Sequence, residues 1–248
     1  MSSVHEWTPT NPVKENRSGL IGKPVDRYEG PLKVTGTAPY AYEVQTPSPP
    51  AYGVMVGATI ATGRITGVDI AEAEATAGVL IVWTHLNAPT QAPRGTKVHP
   101  RSSAGSKPAL ENDRVTHFGQ PVALVVGETL EAATAGAHRV KLTYAEDHPD
   151  VDFRARLDAA VSPVGEEDVE IGNFARGFTE SPVQLDQTWH TPVQNHCQME
   201  PCASTVWFEG GKCVAHTSVQ MVKPAQHGLA ETIGIPRDDV HLMTRYIG

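Results

Sequence analysis

The stretch "GQPVALVVGETLEAATAGAHRVKLTY", residues 119–144, decides the class of fold. Residues 120–127 form an apolar, β-branched run bounded by turn-forming residues, which predicts a buried strand. Leu130, Ala133 and Ala137 then recur at helical spacing, so the next segment is predicted to be a helix with one apolar face. The closing "VKLTY" predicts another strand. A strand, a helix and a strand in this order indicate a domain of the α/β or α+β class.

The residues before this stretch repeat the same order of elements. "YGVMVGATI" (52–60) predicts a strand, "VDIAEAEATAG" a short helix that Asp69 caps, and "VLIVWT" (79–84) a second strand. Further upstream, "GPLKVTGTAPYAYEV" is a strand-like run that glycine and proline interrupt. Residues 87–113 are rich in Pro, Ser, Gly and Lys, and this composition predicts a long exposed loop.

The residues after this stretch predict a linker and then a second domain. Residues 145–180 are acidic and are interrupted by Pro and Gly, which is typical of a linker. "PVQLDQTWHTP" then predicts a strand, and "ASTVWFEGGKCVAHTS" predicts a β-hairpin that turns at residues 209–212. "VKPAQHGLAETIGIP" predicts a helix, and "DDVHLMTRYIG" predicts a final strand.

The composition is that of a globular protein and excludes several classes of function. Of the 248 residues, 40% are hydrophobic and 19% are charged, and the formal net charge is −8. Proteins that bind nucleic acid usually carry a basic stripe, and this sequence has none. No apolar run reaches the roughly 18 residues of a membrane span, and the N-terminus has no signal-peptide core. We therefore expect no nucleic-acid partner, no membrane span, and a cytoplasmic location unless a signal-bearing partner takes the chain to the periplasm.

A histidine, two cysteines and a glutamate fall within "HCQMEPC", residues 196–202. Zinc is disfavoured, because Cys197 and Cys202 have no second pair of cysteines to complete a structural site. His196 is a poor base for Cys197, since adjacent residues of an extended chain point to opposite faces, whereas a pairing with Cys202 through a turn stays open. The favoured interpretation of both cysteines is small, buried, apolar residues. Glu200 either lies at the surface or meets a specific partner, and both alternatives stay open.

Gln220 occupies a position that often serves ligands. It follows the predicted hairpin and precedes the predicted helix, and loops at such junctions direct side chains and backbone amides toward ligands. A neutral amide there can donate a hydrogen bond to an oxo or phosphate oxygen without adding charge. The competing interpretation, by spacing alone, is an ordinary surface glutamine.

Three long motifs in order carry a family resemblance. They are "RYEGPLKVTGTAPYAYEV", then the stretch 119–144, and then the segment that begins "TPVQNHCQMEP" and ends "TRYIG". Together they resemble the molybdenum-binding large subunit of the xanthine dehydrogenase/aldehyde oxidase family. The likeness is greatest to the three-subunit bacterial aldehyde oxidases of periplasmic type, and it covers about residues 22–248.

The resemblance implies an α+β chain of four parts. Residues 1–26 would be an N-terminal arm, residues 27–147 an a/b hammerhead domain, and residues 148–171 a linker. Residues 172–248 would be the beginning of a molybdopterin-binding domain.

The resemblance also implies roles for two residues. Gln220 would be the catalytic and cofactor-binding residue that hydrogen-bonds the oxo ligand of molybdenum, and no side chain would bind the metal directly. Gly248 would be the first glycine of a Gly-Gly-Phe-Gly loop that closes over the molybdenum. Residues 199–201, "MEP", would be a structural segment near the site. The family often has histidine where this chain has Cys202, so we expect no catalytic role there.

The function implied by the resemblance is that of an oxidoreductase which hydroxylates an aldehyde or heteroaromatic substrate with oxygen from water. The cofactor would be molybdenum-molybdopterin, including its cytosine dinucleotide form. Partners would be an iron–sulfur small subunit with 2Fe-2S clusters, an FAD-binding medium subunit, and the remaining part of the molybdenum subunit, as a separate chain or a missing segment. Since the family's catalytic glutamate lies further downstream, we expect this chain to be inactive alone. The alternative is a non-catalytic hammerhead or assembly module.

Overall fold

The structure is a computed structural model that describes residues 15–16, 18–91, 108–161, 169 and 171–248. The chain divides into two compact units. The terminal unit contains the described residues up to Pro49 together with Gln198–Gly248, and the central unit contains Pro50–Gln91 and the described residues from 108 to Cys197. Most of the long loop predicted over residues 87–113 lies outside the described residues.

Helices and strands alternate along the described chain. In order they are α1 (Gly30–Val34), β1 (Tyr52–Gly57), β2 (Gly63–Asp69), α2 (Ala71–Glu74), β3 (Val79–Thr84), β4 (Arg114–Val115), β5 (Pro121–Gly127), α3 (Leu130–Ala137), β6 (Lys141–Glu146), α4 (Phe174–Glu180), β7 (Ser204–Glu209), β8 (Lys212–Thr217), α5 (Val222–Ile233) and β9 (Val240–Met243). Short 3-10 turns occupy Ala41–Glu43, Arg154–Ala159 and Arg237–Asp239.

The central unit is built from two three-stranded antiparallel sheets. In one sheet β5 lies between β1 and β3, and in the other β2 lies between β4 and β6. The buried strand predicted from the deciding stretch is therefore the middle strand of its sheet. Because β3 and β5 pair antiparallel, the unit is of the α+β class and not a parallel α/β sheet.

Helix α3 closes one face of the β1–β5–β3 sheet. It begins where Thr129 accepts a hydrogen bond from the Ala132 N–H at 3.1 Å, which satisfies a donor at the helix start. Its apolar face packs against β1 and β5, and Ala133 is fully buried there. Val82 and Val125 are also fully buried in this core, so helix and sheet are held together mainly by apolar burial.

The terminal unit holds the third sheet, in which β8 lies between β7 and β9. The predicted hairpin is confirmed: Gly210 and Gly211 make its turn, both with positive φ, as a tight hairpin requires. β9 runs parallel to β8, and α5 connects the two strands, so this unit contains one β–α–β crossover. Its core consists of Cys213, Ala230, Val240 and Leu242.

Several sequence predictions were wrong in their local structure. The strand-like run at 30–44 is instead α1 and a 3-10 turn, because Pro31 suits the first turn of a helix. Residues 182–192 form no strand, since no neighbouring described strand pairs with them. α4 lies within residues 145–180, whose composition predicted a linker, but beyond the linker 148–171 that the resemblance implies. β2 was missed because glycines interrupt its apolar pattern. The three predicted boundaries between the four parts of the chain stay a prediction.

In the part of the chain that the structure describes, no helix is both long enough and apolar enough to cross a membrane.

Shortening a core valine of the central unit tests the packing described above. Val82 is fully buried in β3, whereas Leu80 in the same strand is 55% exposed. We expect Val82→Ala to lower the free energy of unfolding of the central unit by about 2 kcal/mol, because it removes buried methyl groups and leaves a cavity. Leu80→Ala, the matched control, should cost less than about 0.5 kcal/mol in urea unfolding. Equal losses in both variants would contradict the assigned core.

Candidate functional site

The parallel pair β8 and β9 brings two chain segments to one edge of its sheet. The strands are paired from Cys213–Val240 to His216–Met243, so both end at the same edge. Residues 218–221 follow β8 and residues 244–248 follow β9. In open sheets with parallel strands, ligands bind outside the carboxyl ends of the strands, so this edge is the candidate functional site.

The two segments are in direct contact with each other. The backbone N–H of Val219 donates a hydrogen bond to Thr244 Oγ1 at 3.4 Å. This is the long end of the hydrogen-bond range, so it contributes little by itself. Stronger contacts come from Glu200.

Glu200 joins both segments through its carboxylate. The side chain is only 6% exposed, and each of its oxygens accepts one hydrogen bond. Ser218 Oγ donates to Oε1, and the backbone N–H of Gly248 donates to Oε2 at 2.9 Å. Of the two alternatives left open by the sequence, Glu200 therefore meets specific partners. A buried carboxylate is stable only when such partners satisfy it.

The peptide group between Ile247 and Gly248 is held at both ends. Lys33 Nζ donates a hydrogen bond to the carbonyl oxygen of Ile247 at 2.6 Å, while the N–H of Gly248 donates to Glu200. An ammonium at the carbonyl end and a carboxylate at the N–H end both complement the dipole of the peptide group. Hydrogen bonds to ionised groups are about twice as strong as those between neutral groups.

Only glycine fits at position 248. A Cβ atom there would lie 2.5 Å from both the backbone nitrogen and the Cβ of Glu200. Real side chains do not approach so closely, so any larger residue would push the segment away from Glu200.

Lys33 is itself placed by two neighbours. Its side chain is 10% exposed, and its Nζ lies 3.6 Å from Glu29 Oε1. Arg27 donates to the same oxygen at 2.6 Å, and this hydrogen bond is the main reason that the pKa of Glu29 is lowered. An ionised Glu29 keeps the ammonium of Lys33 next to the 244–248 segment.

Aromatic packing also fixes the 244–248 segment, at Tyr246. The rings of Tyr246 and Tyr40 meet edge to face with centroids 6.4 Å apart, and both residues are buried. The guanidinium of Arg245 lies 5.5 Å from the centroid of the Tyr246 ring. Thr205 Oγ1, on β7, donates to the carbonyl oxygen of Ala41 at 2.7 Å. Residues near α1 therefore help to build the site.

Gln220 lies at the junction that the sequence predicted, between β8 and α5. Its side chain is exposed, and it makes no hydrogen bond with any residue that the structure describes. Helix α5 begins at Val222 with no side-chain hydrogen bond from Met221, its N-cap residue. The edge therefore presents an amide group and the N–H groups at the start of a helix. The catalytic and cofactor-binding role of Gln220 and the cofactor-binding role of Gly248 stay predictions.

Two of the three cysteines are more exposed than the sequence predicted. Cys197 and Cys202 are both exposed, so their interpretation as buried apolar residues is wrong. The amide of Gln198 donates to Cys202 Sγ and closes the turn of this segment. Cys213 is buried, and burial raises the pKa of its thiol. Among the described residues, no three His, Cys, Asp or Glu side chains come together in a way that could hold a metal ion, so the zinc alternative has no site there.

A small cavity of about 270 Å³ lies within the terminal unit, beside the last residues of β8 and β9. It is lined by Pro39, Ala41, Glu43, Val44, Gln45, His216, Thr217, Met243, Thr244, Arg245 and Tyr246. The ring of Trp207 stacks on His216 at 5.5 Å between centroids. Burial, and to a smaller extent nearby His241, lowers the pKa of His216, so this imidazole is neutral at neutral pH.

Comparison with protein families matches both parts of the chain. Residues 35–148 match the a/b hammerhead domain of aldehyde oxidase and xanthine dehydrogenase. Residues 158–248 match the molybdopterin cofactor-binding domain, and this second match contains the whole β8–α5–β9 edge. The fold and the two matches define a class of molybdopterin-binding proteins.

Individual proteins agree with the two domain matches. The chain is 38% identical to the aldehyde oxidoreductase molybdenum-binding subunit PaoC of Escherichia coli K12, over 96% of this chain and 31% of that protein. The chain belongs to the xanthine dehydrogenase/aldehyde oxidase family and corresponds to part of its molybdenum-binding subunit. The predicted family and the predicted α+β architecture are therefore confirmed. The chain spans about 31% of the length of this curated relative.

Solved structures share the fold. Quinoline 2-oxidoreductase from Pseudomonas putida 86 superimposes with a TM-score of 0.71 at 20% identity, over 90% of this chain and 30% of that chain. Aldehyde oxidoreductase from Desulfovibrio gigas gives a TM-score of 0.69 at 23% identity, over 88% of this chain and 26% of that chain.

Thiol labelling tests the placement of the three cysteines. We expect iodoacetamide at pH 7 to label Cys197 and Cys202 of the folded chain, and Cys213 to react roughly tenfold or more slowly, because burial disfavours its thiolate and its reaction requires local opening. Peptide mapping by mass spectrometry gives the three rates separately. In urea all three should react alike. Rapid labelling of Cys213 in the folded chain would contradict the assigned core of the terminal unit.

Proposed function

We propose that this chain builds one wall of the molybdopterin site of a molybdenum hydroxylase that oxidises aldehydes. The observation that carries the proposal is the edge formed by β8 and β9, where the amide of Gln220 stands free beside the uncapped start of α5. This edge lies wholly within the segment that matches the molybdopterin cofactor-binding domain. The chain contributes to the site, and the rest of the enzyme completes it.

The donors present at this edge suit molybdopterin. The cofactor presents oxo and phosphate oxygens, and the edge offers a neutral amide and backbone N–H groups that donate to such oxygens. Among the residues that the structure describes, Glu200 is the one carboxylate buried near this edge, and the protein engages both of its oxygens. No described cluster of side chains competes for a metal ion, which fits a metal carried by its pterin.

In the proposed mechanism the bound cofactor supplies the oxidation chemistry, by transfer of oxygen and electrons at molybdenum. The residues of this chain bind and orient it. The amide N–H of Gln220 would donate a hydrogen bond to an oxygen of the cofactor, and it would transfer no proton, because an amide does not titrate. Gly248 can pack directly against Glu200 because it carries no side chain, and this contact would hold the 244–248 segment beside the cofactor.

The substrate and the partners of the whole enzyme are part of the proposal. An aldehyde is the favoured substrate, since the 38% identical relative is named an aldehyde oxidoreductase; a heteroaromatic ring is the second candidate. We propose that the inserted oxygen comes from water and that electrons leave through 2Fe-2S and FAD subunits. We also propose the cytosine dinucleotide form of the cofactor. The proposed location is the cytoplasm, or the periplasm with a signal-bearing partner.

Metal analysis separates this function from its alternatives. The intact protein that contains this chain should hold molybdenum and pterin and should oxidise aldehydes. A folded, metal-free protein that only assembles with partners would favour the non-catalytic hammerhead module. Zinc at about one equivalent, lost on Cys197→Ser, would instead revive the zinc site.

Gln220→Ala tests the role of the amide. We expect kcat in the intact enzyme to fall roughly 10- to 100-fold, because one preorganised hydrogen bond to the reacting centre is lost. Molybdenum content should stay at the wild-type level, since the remaining contacts still hold the cofactor. Gln184→Ala removes an exposed glutamine of the central unit and serves as the matched control with unchanged kinetics. Unchanged turnover in Gln220→Ala would remove Gln220 from the site.

A further inference from the structure

We propose that Glu200 is a positioning residue that sets the Gln220 loop and the Gly248 segment relative to each other, and that Lys33 completes this grip. The inference rests on the proposed function, because it concerns the same edge of the sheet. It assigns the work to residues that touch neither the cofactor nor the substrate. Three side chains, those of Lys33, Glu200 and Ser218, take part.

Glu200 divides its two carboxylate oxygens between the two segments. Oε1 is used by Ser218, two residues before Gln220, and Oε2 is used by the N–H of Gly248. A buried carboxylate with an empty oxygen is costly, so a shift of either segment leaves an unsatisfied charge behind. Glu200 therefore couples the positions of the two segments, because neither can shift without losing its hydrogen bond to the carboxylate.

The peptide group between Ile247 and Gly248 is fixed in its orientation. Its carbonyl oxygen accepts from Lys33 and its N–H donates to Glu200. Rotation of this peptide plane would break both charge-assisted bonds at once. The backbone of the segment that is predicted to close over the cofactor thus has one orientation.

The contact between Gly248 and Glu200 is closely packed. Gly248 lies so close to Glu200 that a single added carbon would meet its backbone at 2.5 Å. On the other side, Lys33 is held by Glu29, which Arg27 keeps ionised. Binding sites need their contacting groups within roughly 0.5 Å of the productive position, and such supporting residues provide that accuracy.

The experiment compares four variants of the intact enzyme by hydrogen–deuterium exchange of the backbone. Glu200→Ala should speed exchange about tenfold in both segments, 218–221 and 244–248. The Gly248 N–H loses its acceptor, and the 218–221 segment loosens because the Ser218 hydroxyl loses its acceptor. Ser218→Ala should speed exchange in 218–221 alone, since Glu200 still holds Gly248. Lys33→Met should do so in 244–248 alone.

Glu200→Gln is the conservative variant that separates position from charge. Its carbonyl oxygen can accept from the N–H of Gly248, and its amide can donate to Ser218 Oγ, so both contacts persist. We expect exchange within about threefold of wild type in both segments, while Glu200→Ala is tenfold faster. If Glu200→Gln is as damaging as Glu200→Ala, the positioning role is overturned.

Kinetics and spectroscopy connect the positioning to the cofactor. In Glu200→Ala we expect kcat to fall about tenfold with KM within about twofold, and the EPR spectrum of the reduced molybdenum centre to change, because cofactor and not substrate is displaced. Glu200→Gln should restore both. Glu200→Ala could instead increase exchange while kinetics and the EPR spectrum stay unchanged. That outcome would support the positioning role of Glu200 and overturn the proposed function.

The exchange data test the positioning role of Glu200 independently of enzyme activity. Exchange that stays slow in 244–248 of Glu200→Ala would overturn it, even if Gln220→Ala still lowers turnover. If Glu200→Ala does not fold, the single-sided effects of Ser218→Ala and Lys33→Met decide. Effects that spread to both segments in either variant would overturn the role of Glu200 as the main connection, because the long hydrogen bond between Val219 and Thr244 would then carry the coupling.

Discussion

The carboxylate of Glu200 is the interaction on which the candidate site depends. It is buried, and a buried carboxylate can be kept only if the protein supplies donors for both of its oxygens. Ser218 and the backbone of Gly248 supply them, one after each of the two parallel strands. The need to satisfy one buried charge therefore specifies the distance between two loops. This local cost in stability gives a defined shape to the edge where we propose that the cofactor binds.

The parallel strands make this arrangement possible. In an antiparallel pair the segments that follow the two strands leave at opposite ends, whereas α5 returns the chain so that β8 and β9 end together. The start of α5 then faces the same edge and adds its own N–H donors. Residues from the N-terminal part of the terminal unit also support this edge, since Lys33 and Tyr40 hold the segment after β9. The site is thus assembled from three separate stretches of the chain.

Sequence patterns predicted the parts of this fold that rest on local information. The middle strand β5, the helix α3 and the glycine turn of the hairpin each carry a complete signal within about a dozen residues. The position of Gln220 between strand and helix was also predicted in this way. β2 was missed because glycines usually weaken a strand pattern. α1 was missed because proline, which interrupts strands, is also favoured in the first turn of a helix. The run at 182–192 alternates like a strand, but a strand needs a partner that local sequence does not show.

The supporting contacts of the site have no local signal at all. Lys33 and Ile247 are 214 positions apart, and Glu200 and Gly248 are 48 apart. A lysine in "PLKV" looks like an ordinary surface residue until the chain is folded. For the glutamate in "MEP" the sequence left both a surface position and a specific partner open, and it did not name the partner. Only Gly248 carried a hint, because a glycine after a strand often marks a close backbone approach. Groups that touch a ligand can therefore be found by their type and place, whereas the groups that hold them in position are defined only by burial and by the pairing of their charges.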